Sequence, residues 1–271
     1  MEKTVITPRG IGIRPYLKDL IHYKAILWSF AYRNLRAQYA QTMIGMLWAL
    51  VNPIFTLLIL GFVFGKVAKM DTGGIDPFLF TMVGLCAWTY FANVVGLAGR
   101  SLVNAQSMVK KIYFPRMLLP ISTAVSSLLD LLIVLFLSFL LLLINQYTPS
   151  VNMIYLPLFL VLIILAGVVG GIWVSALSIR FRDFHHVVPF LLRLGLYASP
   201  VAYAMASIDK EFHLFFVLNP LTGILEGFRW CVFGGAFPNV TVIISIAYII
   251  FFLTTGLFYF NRVERTMADI I

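Results

Sequence analysis

Residues 118–144 read LLPISTAVSSLLDLLIVLFLSFLLLLI, and Asp130 is the only ionisable side chain among them. At about 1.5 Å of rise per residue, a helix of this length crosses a hydrocarbon core of ~30 Å with residues to spare. Working outward, five more apolar stretches lie at 42–64, 78–99, 154–179, 187–205 and 240–260. The 271-residue chain is 61% hydrophobic and 11% charged, with mean hydropathy +0.95. That leaves too little polar surface for a water-soluble globule. The expected fold is an all-α polytopic membrane protein with six transmembrane helices.

Charge gives the orientation. The side holding the N-terminus collects Lys3, Arg9, Arg14, Lys18, Lys24, Arg33, Arg36, Arg100, Lys110, Lys111, Arg116, Arg180, Arg182, Arg262 and Arg265. The other side holds Lys66, Lys69, Lys210 and Arg229, and Arg193 falls inside the fifth stretch. This is a positive-inside bias, and an even number of crossings puts both termini in the cytoplasm. The basic residues flank spans instead of forming one stripe, which argues against a nucleic-acid partner despite the net charge of +9. The first 40 residues lack a continuous apolar core, so no cleavable signal peptide is expected. Cys86 falls mid-span and Cys231 in a far-side segment. They point to buried thiols, not to a disulfide framework or a metal site.

The chain divides into a cytoplasmic N-terminus at 1–41, a transmembrane domain at 42–260 and a tail at 261–271. Residues 16–31, YLKDLIHYKAILWSFA, read as an amphipathic helix. Tyr16, Leu20, Tyr23, Leu27 and Phe30 share one face, while Lys18, His22 and Ser29 share another. Such a helix suits the membrane surface, or a packing position on the protein's own spans. Residues 102–116, LVNAQSMVKKIYFPR, suit a short cytoplasmic helix ending before Pro115. A tight basic turn, Arg180 to Phe184, joins the fourth and fifth stretches. Residues 206–239 are rich in Phe, Leu and Trp. They are broken by Asn219-Pro220, Gly223, Glu226, Gly227 and Arg229. Two half-helices dipping back into the membrane fit better than a seventh crossing, and such backbone needs cover from protein or a wet cavity.

Ionisable groups within spans are costly, roughly 2.5–3.5 kcal/mol each on insertion scales. Asp130 continues a polar stripe with Ser122, Ser126 and Ser138, which should face protein or a cavity. Arg193 lies two turns from the cytoplasmic end, within snorkelling reach. Two roles stay open for the pair: an Asp–Arg or Asp–Ser contact that locks helices together, or the lining of a translocation path. The spans contain no relay of Glu or His and no internal repeat, so an ion-coupled mechanism lacks its parts. Gly61 to Val67 has three residues between glycines where a phosphate loop needs four, and Val67 stands where Ser or Thr must bind magnesium. His22, His185, His186 and His213 lack ligand spacing. The cytoplasmic loops lack the paired acids of a membrane transferase. No catalytic residue, metal site or cofactor is therefore expected in this chain. Gly167, Gly171 and Ser175 form a small-residue ridge suited to close helix packing.

The ordered motifs are Arg33-Asn34-Leu35-Arg36-Ala37-Gln38-Tyr39 followed by Gly45, Trp48 and Pro53; then Lys110 to Arg116; then Arg180 to Asp183. Tyr197-Ala198-Ser199-Pro200-Val201 and Leu218-Asn219-Pro220 with Phe228-Arg229 complete the set. In this order the chain resembles the permease subunit of type-2 ABC exporters, in the branch that exports O-antigen and related polysaccharides. Gln38 departs from that pattern, which usually has a basic residue there. The resemblance implies a homodimer with a channel at its interface, driven by two cytoplasmic ATPase subunits that hold ATP and magnesium. It implies ATPase contacts at Leu20, Tyr23, Asn104, Met108, Lys110, Lys111 and Tyr113. It also implies a bacterial inner-membrane location and an outward-moving polysaccharide on a polyprenyl diphosphate. That diphosphate would enter past Arg33, Arg36 and Arg116, which anionic membrane lipids would suit equally well. The channel and its outer gate would draw on Trp88, Asp130, Arg193, Tyr197, Asn219, Glu226 and Arg229.

Overall fold

The structure is a computed structural model that describes residues 19–40 and 45–270. Lys3, Arg9, Arg14, Tyr16, Lys18 and the start of the first apolar stretch lie outside the described residues. The described residues are helical with no strand among them. The elements are α1 (Lys24–Tyr39), α2 (Trp48–Leu60), α3 (Pro77–Asn104), α4 (Gln106–Val109), α5 (Leu118–Ser126) and α6 (Leu128–Ile144). They continue as α7 (Leu156–Arg180), α8 (Phe184–Ala198), α9 (His213–Val217), α10 (Thr222–Phe233) and α11 (Asn239–Ile270).

Five helical runs among the described residues are long and apolar enough to cross a membrane: Gly45–Val67, Pro77–Asn104, Leu118–Ile144, Val151–Arg180 and Asn239–Glu264. The fifth expected crossing, 187–205, departs from this. It forms α8, whose 15 residues reach about 22 Å and fall short of ~30 Å. The chain after Ala198 turns aside, and α9 and α10 occupy the space beyond it.

Helix α3 is the axis of the fold, and Asp76 starts it by accepting from the main-chain N–H groups of Phe78 and Leu79, both at 3.0 Å. Pro77 follows at the first helical position, where a missing N–H costs nothing. Helix α7 packs against it through the small-residue ridge read from the sequence. A Cβ on Gly167 would sit 3.1 Å from the Tyr90 ring, and one on Gly171 would sit 3.1 Å from Ala98. The polar stripe is inward-facing as expected: Ser122, Ser126, Asp130 and Ser138 are all buried. Ser122 and Ser126 also bond the carbonyls of Leu119 and Thr123, next to the break between α5 and α6 at Ser127.

Two elements differ from their predicted bounds. The helix expected at 16–31 is displaced: a turn at 19–22 bends at Tyr23, and α1 then runs to Tyr39 alongside α5. The helix expected within 102–116 shrinks to the single turn of α4, because α3 itself continues to Asn104. There are two apolar cores. The larger fills the space among α3, α6, α7 and α10. The smaller joins Phe30, Leu102, Phe114, Met117, Leu118, Ile172, Ile179, Phe260 and Val263 at the basic end.

Candidate functional site

At the basic end the smaller core roots an exposed cationic loop. Phe114 packs at a tilt against Phe30 with ring centres 5.2 Å apart, while the preceding Lys110, Lys111 and Tyr113 are exposed. Asn104 is exposed as well. Leu20, Tyr23 and Met108 instead pack against this core, so part of the expected partner-facing set serves internal packing. Partial burial, with Asp19 and Glu264 nearby, holds the Tyr113 phenol above its ordinary pKa.

The three entrance arginines separate. The Arg33 guanidinium lies over the Phe30 ring at 5.0 Å and reaches Met108 Sδ at 3.0 Å. Arg36 is exposed. Arg116 is half-buried: its main-chain N–H donates to Glu264 Oε1 at 2.9 Å, and its Nη1 donates to the Glu264 carbonyl at 2.7 Å. That pair ties the start of α5 to the end of α11.

Asp130 is 4% exposed and collects polar groups from two other helices, α1 and α3. Tyr39 Oη donates to its Oδ1, while Asn93 Nδ2 and Gln38 Nε2 reach its Oδ2 at 3.0 and 3.4 Å. One turn back on α1, Asn34 Nδ2 donates to Ser122 Oγ at 3.1 Å. Asp130 thus fastens α1 to α3 and α6, through Tyr, Gln and Asn side chains where an Arg or Ser contact was the expectation. Its partners lie 37 to 92 residues away along the chain, so no local pattern announces them.

At the far end, α10 is enclosed by α3, α7 and α11. A Cβ on Gly223 would collide with the Thr241 backbone, and one on Gly227 with the Phe159 ring. Arg229 is 7% exposed. Its Nη2 and Nη1 donate to the carbonyls of Val201 and Tyr203 at 2.6 and 3.3 Å, and its plane covers the Phe80 ring at 3.8 Å. Its Nε has no hydrogen-bond partner among the described residues, an omission that costs about 1–3 kcal/mol for a buried donor. Asn219 holds the end of α8, donating to the Ala198 carbonyl at 3.3 Å and Ser199 Oγ at 2.9 Å. Its own Oδ1 accepts from the Leu221 N–H at 3.0 Å. Glu226 lies on α10, three residues before Arg229, and is half-buried.

Trp88 is buried and lines a cavity of about 510 Å³ between α3, α7, α8 and α11, which Gly195 and Asn219 also line. Arg193 and Tyr197 are on the open side of α8 with Phe190, Leu191 and Leu194. The described structure therefore separates three places: a cationic loop at one end, a polar clasp at Asp130, and a closed segment at the other end. Trp88, Tyr197 and Arg193 are not gathered into one channel within a single copy.

The comparisons with known proteins agree on a family. The ABC-2 type transporter family matches residues 26–233. The chain is 27% identical over 234 residues to the O-antigen export system permease protein RfbA of Myxococcus xanthus, covering 85% of this chain and 89% of that one. It is 28% identical over 245 residues to the RfbA of Klebsiella pneumoniae, covering 88% and 92%. It is also 27% identical over 242 residues to the polysialic acid transport protein KpsM of Escherichia coli, covering 88% and 91%. With a match running from the first turn of α1 to the last residue of α10, this chain belongs to the ABC-2 type transporter family.

Proposed function

We propose that this chain is the permease subunit of an ATP-driven exporter that moves a lipid-linked polysaccharide of the O-antigen type out of the bacterial cytoplasm. The relatives' names support a glycan cargo, and the polysialic acid protein among them keeps a capsule polymer as the second reading. On this reading the chain makes six crossings of the inner membrane, with both termini in the cytoplasm. The short fifth crossing is α8, completed on the outer side by the re-entrant pair α9 and α10. Helix α1 is the amphipathic element at the cytoplasmic boundary. Two copies form the conduit, and two ATPase subunits bind ATP and magnesium.

One observation above all supports this reading: the exposed Lys110, Lys111 and Tyr113 sit on a loop rooted by Phe114 in a core that also holds Phe30, Ile179 and Phe260. A push on that loop reaches α1, α7 and α11 through close-packed side chains, which resist compression. Exposed guanidinium groups at Arg33 and Arg36, with the half-buried Arg116 behind them, suit a diphosphate headgroup. Asn219, Glu226 and Arg229 belong to the outer gate, and Trp88, Asp130, Arg193 and Tyr197 to the walls of the path or their supports.

The test is charge reversal at Lys110→Glu and Lys111→Glu together in the full chain. The expected result is at least a tenfold loss of co-purifying ATPase, or of polymer-stimulated hydrolysis in a reconstituted pair, with unchanged expression. Full capture and full stimulation in that variant would remove the docking role.

A further inference from the structure

The cavity of about 510 Å³ behind α8 has the depth and lining of a hydrocarbon slot. On α7 its lining runs from Ala166 to Leu177, a rise of about 16 Å, or about half of a hydrocarbon core. Trp88, Phe91, Val95, Val169, Val174 and Leu192 contribute to its walls. Polar atoms along it are engaged within the protein. Trp173 Nε1 donates to the Phe252 carbonyl at 2.8 Å, and Asn219 bonds Ala198, Ser199 and Leu221. Tyr248 adds a hydroxyl from α11. Leu191 and Phe252 line the slot and are exposed, so it opens sideways between α8 and α11. One end is basic. Arg180 follows Leu177 by one turn on the same face of α7, and its guanidinium lies over the Phe181 ring at 5.5 Å. In the turn that follows, Arg180 and Arg182 are exposed beside a single acid, Asp183.

We propose that this slot holds one acyl chain of an anionic membrane phospholipid, with the lipid phosphate against Arg180. The inference stands on the membrane setting of the helices and not on the identity of the cargo. An unbranched chain inserted from the side gives the slot walls the dispersion contacts that a gap forfeits. A polar ligand would find few groups free to receive it. The headgroup then lies at the side to which the basic residues assign the cytoplasm, where a guanidinium between spans suits an anionic phosphate. A branched polyprenyl tail is much longer than the slot and would leave most of its length outside. Val188, Leu192 and Gly195 turn toward the slot from the face of α8 opposite Phe190, Leu194 and Tyr197. The chain therefore packs α8 onto α3 and α7 from behind and leaves its other face free.

The test uses the full chain, loaded in detergent with equal amounts of dioleoyl phosphatidylglycerol and dioleoyl phosphatidylcholine, then washed and read by native mass spectrometry. The unaltered chain should keep about one lipid, with phosphatidylglycerol favoured about fivefold. Leu192→Trp and Val174→Phe fill the slot from opposite walls, and each should cut retention at least about fivefold. Val161→Trp, on an exposed part of α7 away from the slot, should keep it. Arg180→Gln should keep a lipid and lose the preference between headgroups. A phosphatidylglycerol carrying a diazirine at mid-chain gives a reading that needs no variant, and it should label residues within 166–177 and 188–195 of the unaltered chain. The site is overturned if no lipid survives washing, if both filling variants retain it, or if the label falls only elsewhere. Retained preference in Arg180→Gln would overturn the headgroup contact. Displacement of the lipid by equimolar polyprenyl phosphate would overturn the phospholipid and give the slot to the cargo's tail.

Discussion

Asp130 shows how one side chain can hold together elements far apart in the chain. A carboxylate at such a position is expensive unless donors surround it, and here Tyr39, Gln38 and Asn93 supply three. Removing the carboxylate leaves three donors in a buried space without an acceptor. Asp130→Ala should therefore destabilise the chain by about 3–5 kcal/mol, read as a lower midpoint in reversible unfolding from detergent. Tyr39→Phe alone should cost about 1–2 kcal/mol. The double variant should lose less than the sum, giving a coupling of about 1 kcal/mol or more. Strict additivity would mean that the clasp contributes no shared energy. The sequence marked Asp130 as unusual because it is an acid inside an apolar run. Its partners were not readable there, since Asn93 is one polar residue among many and Tyr39 belongs to a segment predicted to end before it.

Helix placement was legible wherever an element is long and uniformly apolar, as in α3, α6 and α7, and where small residues recur along one face. It failed at α8. The window 187–205 counts Ser199 to Tyr203 as one more turn of membrane helix, yet the chain leaves the helix at Ala198. One cause is local, since Pro200 pushes Ser199 into extended backbone; the rest is distant, since Asn219 caps the Ala198 carbonyl and Arg229 takes those of Val201 and Tyr203. A hydropathy window contains no term for caps supplied from another element. The same long-range fit places α10, whose glycines are required by contact instead of by backbone angle. A methyl on Gly223 meets the main chain of Thr241 and Val242, which cannot rotate away. Gly223→Ala should cost about 1–3 kcal/mol through displaced packing and expose the 199–212 loop to protease. Gly96→Ala is the control, since its methyl would meet only Leu192 at an ordinary 3.6 Å and should change neither reading.

At the scale of the whole molecule, the open face of α8 is the feature a single copy leaves unresolved in energy. Phe190, Leu191, Leu194 and Tyr197 are each at least half exposed, and Arg193 is exposed between them. Apolar side chains there suit lipid, but a guanidinium beside them does not, at roughly 2.5–3.5 kcal/mol for an arginine at the helix centre. Pressed against a second copy across a wet conduit, the same face satisfies both demands: ring and leucine contacts close the seam, and Arg193 stays hydrated. A symmetric pair brings each residue near its own twin when it lies close to the two-fold axis. Single cysteines placed along 187–197 test this directly, because native Cys86 and Cys231 are both buried and give little background. Positions 190, 194 and 197 should include at least one that forms a disulfide-linked dimer in membranes under mild oxidation. Val188 and Leu192, which line the cavity facing α3 and α7, should form none. Cross-linking confined to those inward positions, or absent along the entire segment, would place the two copies on another face and leave Arg193 to the lipid.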